Sequence, residues 1–147
     1  MSTVTPFLWY NNNAVEAARF YVSVIPGARL VSTDAMSATF ELGGREYIAF
    51  NGGEYYQLTP AFSLMIDCPT QAEIDDLWVK LLAGGGQESR CGWLVDRFGL
   101  SWQVAPRAVL ARTISGPDPV AAQRAVAAMM AMAKFDIAAL EKAYAGR

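Results

Sequence analysis

The sequence predicts an α+β fold made of two strand–helix–three-strand units in tandem, and two observations carry the prediction. A capping-box pattern occurs twice, Asn13 with Glu16 and Thr70 with Glu73, at a spacing of 57 residues and each time behind an apolar, β-prone run. Each helix is then followed by three short strand-like runs separated by turn signals. With 147 residues the chain is long enough to bury a core as a single domain. Module one is placed at 1–53, module two at 60–106 and a helical extension at 107–147.

The first strand is read within Thr3–Tyr10. Ala14, Ala17, Ala18, Tyr21 and Ile25 then recur at helical spacing until Pro26-Gly27 ends the helix. Arg29–Asp34, Ser37–Leu42 and Arg45–Phe50 follow as strands, with Gly43-Gly44 as a two-residue hairpin turn. Residues 51–60 read as a loop. Ala61–Cys68 opens the second unit as an apolar strand. Ile74, Leu77, Trp78, Leu81 and Leu82 form the apolar face of its helix, and Gly84-Gly85-Gly86 stops it. Strands around 87–90, 93–96 and 100–105 complete the unit, with Asp96-Arg97-Phe98-Gly99 as the last turn. Beyond Pro106, Asp118-Pro119 caps a helix whose apolar face is read as Val126, Met129, Met130 and Ala133, packed on the sheet or on a second subunit. Asp136 caps a final short helix with Ile137, Leu140 and Tyr144 on one side.

Composition narrows the function classes. The net charge is −2, without a basic stripe for nucleic acid or a polybasic patch for a membrane surface. No apolar run approaches the roughly 20 residues of a membrane helix, and no signal-like pattern opens the chain; a cytoplasmic protein is expected. Apolar residues make up 53%, which points to an apolar surface reserved for a partner subunit. The chain has no histidine, so a histidine-ligated metal is excluded and no side chain has an ordinary pKa near neutrality. Cys68 and Cys91 lie outside any CxxC pattern and read as buried reduced thiols.

Phe7-Leu8-Trp9-Tyr10 followed by Glu16-Ala17-Ala18-Arg19-Phe20-Tyr21 resembles the first unit of vicinal oxygen chelate proteins, the glyoxalase/bleomycin-resistance/dioxygenase superfamily. Phe50-Asn51-Gly52-Gly53, Cys91-Gly92-Trp93-Leu94, the run Asp96–Gln103 and the tail Met129–Ala145 resemble its PhnB-like branch, whose members carry the label 3-demethylubiquinone-9 3-methyltransferase domain. The resemblance implies paired βαβββ modules forming a curved eight-stranded mixed sheet, a homodimer, and a concave face where superfamily enzymes hold a divalent metal. Fold alone transfers no activity.

Superfamily ligands come from the first and last strand of each module, so strand alternation assigns the inward side chains. In module two these are Ser63, Met65, Asp67, Ser101 and Gln103, with Phe62, Leu64 and Ile66 turned to the helix. The 57-residue offset maps the pattern onto Pro6, Leu8 and Tyr10, and Tyr47, Ala49 and Asn51 are placed inward on the closing strand. This set is poor in metal donors, and Asp67 is its only carboxylate. A base would have to be a perturbed carboxylate such as Asp67 or Glu46, or a shifted Lys, Tyr or Cys. No glycine-rich strand-to-helix turn marks an S-adenosylmethionine site, because Gly84-Gly85-Gly86 follows a helix and Gly52-Gly53 leads into a loop.

The expected function is therefore small-molecule binding, with neither metal nor cofactor. The ligand is aromatic, bound among Tyr10, Tyr47, Tyr55 or Tyr56 and Trp93, with Asn51, Ser63, Met65, Asp67, Ser101 and Gln103 as further contacts. The alternative is an enzyme acting on an aromatic or quinone-like substrate, including the labelled methyl transfer. The partner expected is a second copy of the chain.

Overall fold

Both halves of the chain follow the β-α-β-β-β order that the sequence predicts. The computed structural model describes residues 1–147, and its contacts divide the chain into two units, Met1–Thr59 and Pro60–Arg147. The first contains β1 (Phe7–Tyr10), α1 (Ala14–Val24), β2 (Arg29–Thr33), β3 (Ser37–Leu42) and β4 (Arg45–Asn51). The second contains β5 (Ser63–Asp67), α2 (Gln71–Leu82), β6 (Gln87–Glu88), β7 (Trp93–Val95) and β8 (Ser101–Ala105). It also carries α3 (Arg107–Arg112), α4 (Pro119–Met130) and α5 (Ile137–Ala145). The eight strands fall into two mixed four-stranded sheets, ordered β1-β4-β3-β2 and β5-β8-β7-β6. In each sheet the first and last strands of the module pair in parallel, and the remaining pairs are antiparallel.

In the first unit the alanines of α1 bring the helix close to the sheet. Ala14, Ala17, Ala18 and Tyr21 are buried, as are Leu8, Tyr10, Ala38, Phe40, Tyr47 and Ala49 on the sheet beneath. Tyr21 is the anchor: its hydroxyl is 2.9 Å from that of Tyr10, and its ring lies 6.0 Å from Phe40, which stacks on Tyr47. The helix start differs from the sequence reading. Asn13 makes no side-chain cap; Asn51 Oδ1, at the end of β4, accepts instead from the Ala14 amide at 2.8 Å. An orphan amide takes whichever acceptor folding brings to it, and here that acceptor is 37 residues away. Gly43 and Gly44 both have positive φ, as a type I′ hairpin turn demands.

In the second unit α2 buries Ile74, Leu77, Trp78 and Leu81, the predicted face less Leu82, and Thr70 Oγ1 accepts from the Glu73 amide. The Trp78 indole N–H donates to the Glu88 carboxylate at 2.8 Å, tying the helix to the outer strand. The β7–β8 turn is built around Asp96, which is buried. Its Oδ1 accepts from the amides of Phe98 and Leu100, and its Oδ2 accepts from the indole N–H of the buried Trp102 at 2.8 Å. One carboxylate thereby fixes both the turn and the largest side chain of the closing strand.

The tail packs as part of the second unit. Gln71 Nε2 donates to the Phe135 carbonyl at 2.9 Å while its Oε1 accepts from the Ile137 amide at 2.8 Å. The amides of Cys91 and Gly92 donate to the carbonyls of Met132 and Ala133. The Phe135 ring fills the space a Gly92 side chain would need, a Cβ there lying 2.3 Å from the ring. Three sequence expectations need correction here. The helix α3 was not predicted; six residues give too little periodicity, and its first amide is held by Asp67 Oδ1 across 40 positions. The helix α4 buries Ala121 and Ala125, whereas Val126 and Met130 are exposed. Cys91 is only half-buried, in a loop with φ +57°, and Cys68 alone is a core thiol.

Replacing Asp96 with Ala leaves three donors without their acceptor and should lower stability by about 3 kcal/mol. Urea unfolding followed at Trp102 checks this; a loss under about 1 kcal/mol would show that the turn does not depend on the carboxylate.

Candidate functional site

Residues directly opposite each other in a sheet share a face, so strand register sorts every side chain into one facing the module's helix or one turned away from it. In the second module Trp78 reaches Glu88, which pairs with Leu94, then Trp102, then Leu64, and this row faces α2. Ser63, Ser101 and Val95 form a row on the opposite face, and Met65, Gln103 and Trp93 form the next. The predicted residues Ser63, Met65, Ser101, Gln103 and Trp93 are therefore brought together. Gln103 Nε2 donates to Ser63 Oγ at 3.0 Å, and the buried Ser101 hydroxyl has no hydrogen-bond partner. Asp67 lies on the same face but at the strand end, where it holds the Arg107 amide at 3.1 Å.

In the first module the face assignment comes out reversed. Leu8 pairs with Ala49 and Tyr10 with Asn51, and these face α1. Tyr10 is tied to Tyr21, Tyr47 is buried against Phe40, and Asn51 caps α1. Burial pushes the Tyr47 phenol above its usual pKa, with nearby Arg45 opposing the shift. The reason for the reversal is parity. Leu8 corresponds to Leu64 or Ile66, an offset of 56 or 58, and any even offset carries the opposite face from the odd 57 of the helix starts.

The helix-free face of the first module instead presents Phe7, Trp9, Ile48 and Phe50. Phe50 lies 5.3 Å from Phe7 and 5.4 Å from Trp9, and Tyr56 meets Trp9 edge-on at 5.0 Å. Trp9 is held by a hydrogen bond and by a close approach to the backbone. Its indole N–H donates to the Gly53 carbonyl at 3.0 Å, and its six-membered ring lies where a Gly52 Cβ would be, at 2.1 Å. Glycine at 52 is therefore a packing requirement of the indole. The amides of Gly52 and Gly53 bond to the carbonyls of Tyr10 and Asn11, which holds this end of the sheet closed. Beside it lies a cavity of about 450 Å³ lined by Asn11, Gly53, Glu54 and Tyr55. Trp9 was not among the predicted contacts; Gly52-Gly53 directly after β4, whose last residues are Phe50-Asn51, was the available signal.

The donor set for metal chemistry is absent from these faces. No three His, Cys, Asp or Glu side chains converge anywhere in the chain. Such sites want three or four ligands from imidazole, thiolate and carboxylate. The residues present do not fit the divalent metal of the superfamily enzymes. Gly84 and Gly85 have positive φ at the C-terminus of α2, so this glycine run ends a helix. No helix is long and apolar enough to cross a membrane. Burial pushes the Cys68 thiol up to about 11, with the carboxylates of Glu73 and Asp67 adding to the effect.

Residues 2–105 match the sequence model of a family described as 3-demethylubiquinone-9 3-methyltransferase. Among solved structures the chain is similar to the PhnB protein from Bacillus cereus, at 30% identity and a TM-score of 0.62, over 69% of this chain and 97% of that one. It is also similar to a Pseudomonas aeruginosa protein, at 22% identity and a TM-score of 0.58, over 69% and 95%. A glyoxalase-related enzyme from Fulvimarina pelagi aligns at 17% identity and a TM-score of 0.51, over 69% and 86%. The last two likenesses speak for the fold alone. No curated protein matches the chain. The family match ends at residue 105, so the tail, to which the sequence resemblance was extended, lies outside it.

Two measurements follow from this geometry. Gly52→Ala should displace the Trp9 indole and break its bond to Gly53, at a stability cost of about 1–3 kcal/mol, with a shift of Trp emission that Trp9→Phe abolishes. An unchanged spectrum would show that the indole is not held there. A thiol reagent near pH 8 should label Cys91 in the folded protein and Cys68 only on unfolding. Because the folded Cys68 thiol stays protonated after the unfolded one has ionised, stability should fall as pH rises from about 9 to about 11 and show no Cys68 contribution below that window. Rapid native labelling of both thiols would contradict the burial.

Proposed function

From the premise that the chain belongs to the 3-demethylubiquinone-9 3-methyltransferase family, the PhnB-like branch of the glyoxalase superfamily, we infer that it acts by binding a small aromatic molecule. The observation that carries this reading is the immobilised Trp9 on the helix-free face of the first module. An indole already held by a hydrogen bond and by packing on Gly52 loses little entropy when a second ring stacks on it, so its binding surface is organised before the ligand arrives. Phe7 and Tyr56, both largely exposed, extend the apolar area beside it.

The binding reading is favoured over metal-assisted chemistry by the donor set, which lacks imidazole and converging carboxylates. It is favoured over methyl transfer by the absence of a glycine turn leading from strand to helix. The polar rows of the second module, with Ser63, Ser101 and Gln103, form a separate candidate surface for hydroxyl or carbonyl groups. Assembly as a homodimer in the cytoplasm, with no nucleic-acid or membrane partner, agrees with the apolar excess and the small, unclustered charge.

1-Naphthol tests the reading as a neutral planar probe. It should raise the melting temperature saturably, and Trp9→Leu should remove that shift while leaving the fold intact by circular dichroism. A probe effect that survives Trp9→Leu would place binding elsewhere, and no saturable effect with any member of a naphthol, phenol and quinone panel would sink the reading.

A further inference from the structure

The cavity beside Trp9 has a charge character that the aromatic strip lacks. Its walls are Asn11, Gly53, Glu54 and Tyr55, so the Glu54 carboxylate is its only charged group. The segments that build this end of the module carry no basic side chain: residues 1–18 and 46–59 have neither Lys nor Arg. The three arginines of the first unit are Arg19 on α1, Arg29, which is paired with Glu41, and Arg45 at the far end of β4. Aromatic rings are gathered at the same place. Tyr55 lines the cavity and is almost fully exposed, and Tyr56 sits edge-on to Trp9. Gly53, a wall residue, accepts the Trp9 indole proton, so the cavity wall and the indole are joined by a hydrogen bond.

A carboxylate beside electron-rich rings, with no Lys or Arg in the segments that frame it, is the chemistry that recognises an organic ammonium group attached to a ring. The walls are also held in place. The amides of Gly52 and Gly53 are bonded to the carbonyls of Tyr10 and Asn11 at 2.8 and 3.1 Å, so the floor of the cavity is set by backbone already committed to the sheet end. We propose that the Asn11–Tyr55 cavity selects a cationic aromatic ligand, its ring on Trp9 and its ammonium against Glu54 and Tyr55. This rests on the reading of Trp9 as the binding platform and adds to it the charge class of the ligand. Glu54 is exposed, so its attraction is screened and must weaken as salt is added.

The test compares three probes of matched size on the full chain by calorimetry: phenyltrimethylammonium, its uncharged isostere tert-butylbenzene, and the benzoate anion. Phenyltrimethylammonium should bind about tenfold more tightly than the isostere, benzoate more weakly than either, and the preference should shrink between 20 and 500 mM salt. Glu54→Gln, at an exposed position that leaves the fold undisturbed, should remove most of the preference while 1-naphthol binding is retained. Equal binding of the cation and the isostere, or a cation preference untouched by Glu54→Gln, overturns the proposal and leaves the Trp9 platform standing. Binding of 1-naphthol that is indifferent to Trp9→Leu overturns the platform itself, and the charge assignment with it.

Discussion

Everything about the candidate site depends on the parallel pairing of the first and last strand of each module. That pairing places β1 against β4 and β5 against β8 in fixed register, Leu8 with Ala49 and Leu64 with Trp102. Side chains alternate along each strand, so one register decides which residues meet the helix and which are left for other uses. In the first module it sends Leu8, Tyr10, Tyr47 and Ala49 under α1 and leaves Phe7, Trp9, Ile48 and Phe50 on the other face. In the second it sends Leu64, Trp102 and Leu94 under α2 and leaves a face where Ser63, Ser101 and Gln103 are interspersed with Met65, Trp93 and Val95. The same backbone plan thus yields an aromatic face in one module and a mixed polar and apolar one in the other.

Local devices then lock what the register has sorted. Glycine at 52 lets an indole lie flat against the chain, and the Gly53 carbonyl takes its proton. Asp96 performs a comparable task in the second module, holding two turn amides and the Trp102 indole with one buried carboxylate. Both arrangements spend a specialised residue on the position of a tryptophan. Trp102 is sealed in the core, whereas Trp9 stays half-exposed beside a cavity, and that difference in access is what turns a packing device into a binding platform.

The fold was legible because local signals and tertiary structure agree. Helix periodicity put Ile74, Leu77, Trp78 and Leu81 in the core, and the Gly43-Gly44 turn set the hairpin register. The site was legible in the second module, where an apolar β5 alternation marked the helix side and so brought Ser63, Met65, Ser101, Gln103 and Trp93 to one face. It failed in the first, because β1 is apolar on both faces and offers no alternation to read. The offset between helix starts was used in its place, and a one-residue error inverts every side chain on a strand. Contacts made across long stretches of chain, such as Asn51 capping α1 or Asp67 holding α3, leave no local trace at all.

The indole N–H resonances of the four tryptophans report on both helix-free faces and on the core of the second unit in one experiment. Titration of the labelled protein with 1-naphthol, followed by proton–nitrogen correlation spectroscopy, tests the central claim most directly. The account predicts that the Trp9 indole resonance moves saturably while those of Trp78 and Trp102 stay in place. Movement of the Trp93 resonance with Trp9 unmoved would contradict it and transfer the binding surface to the second module.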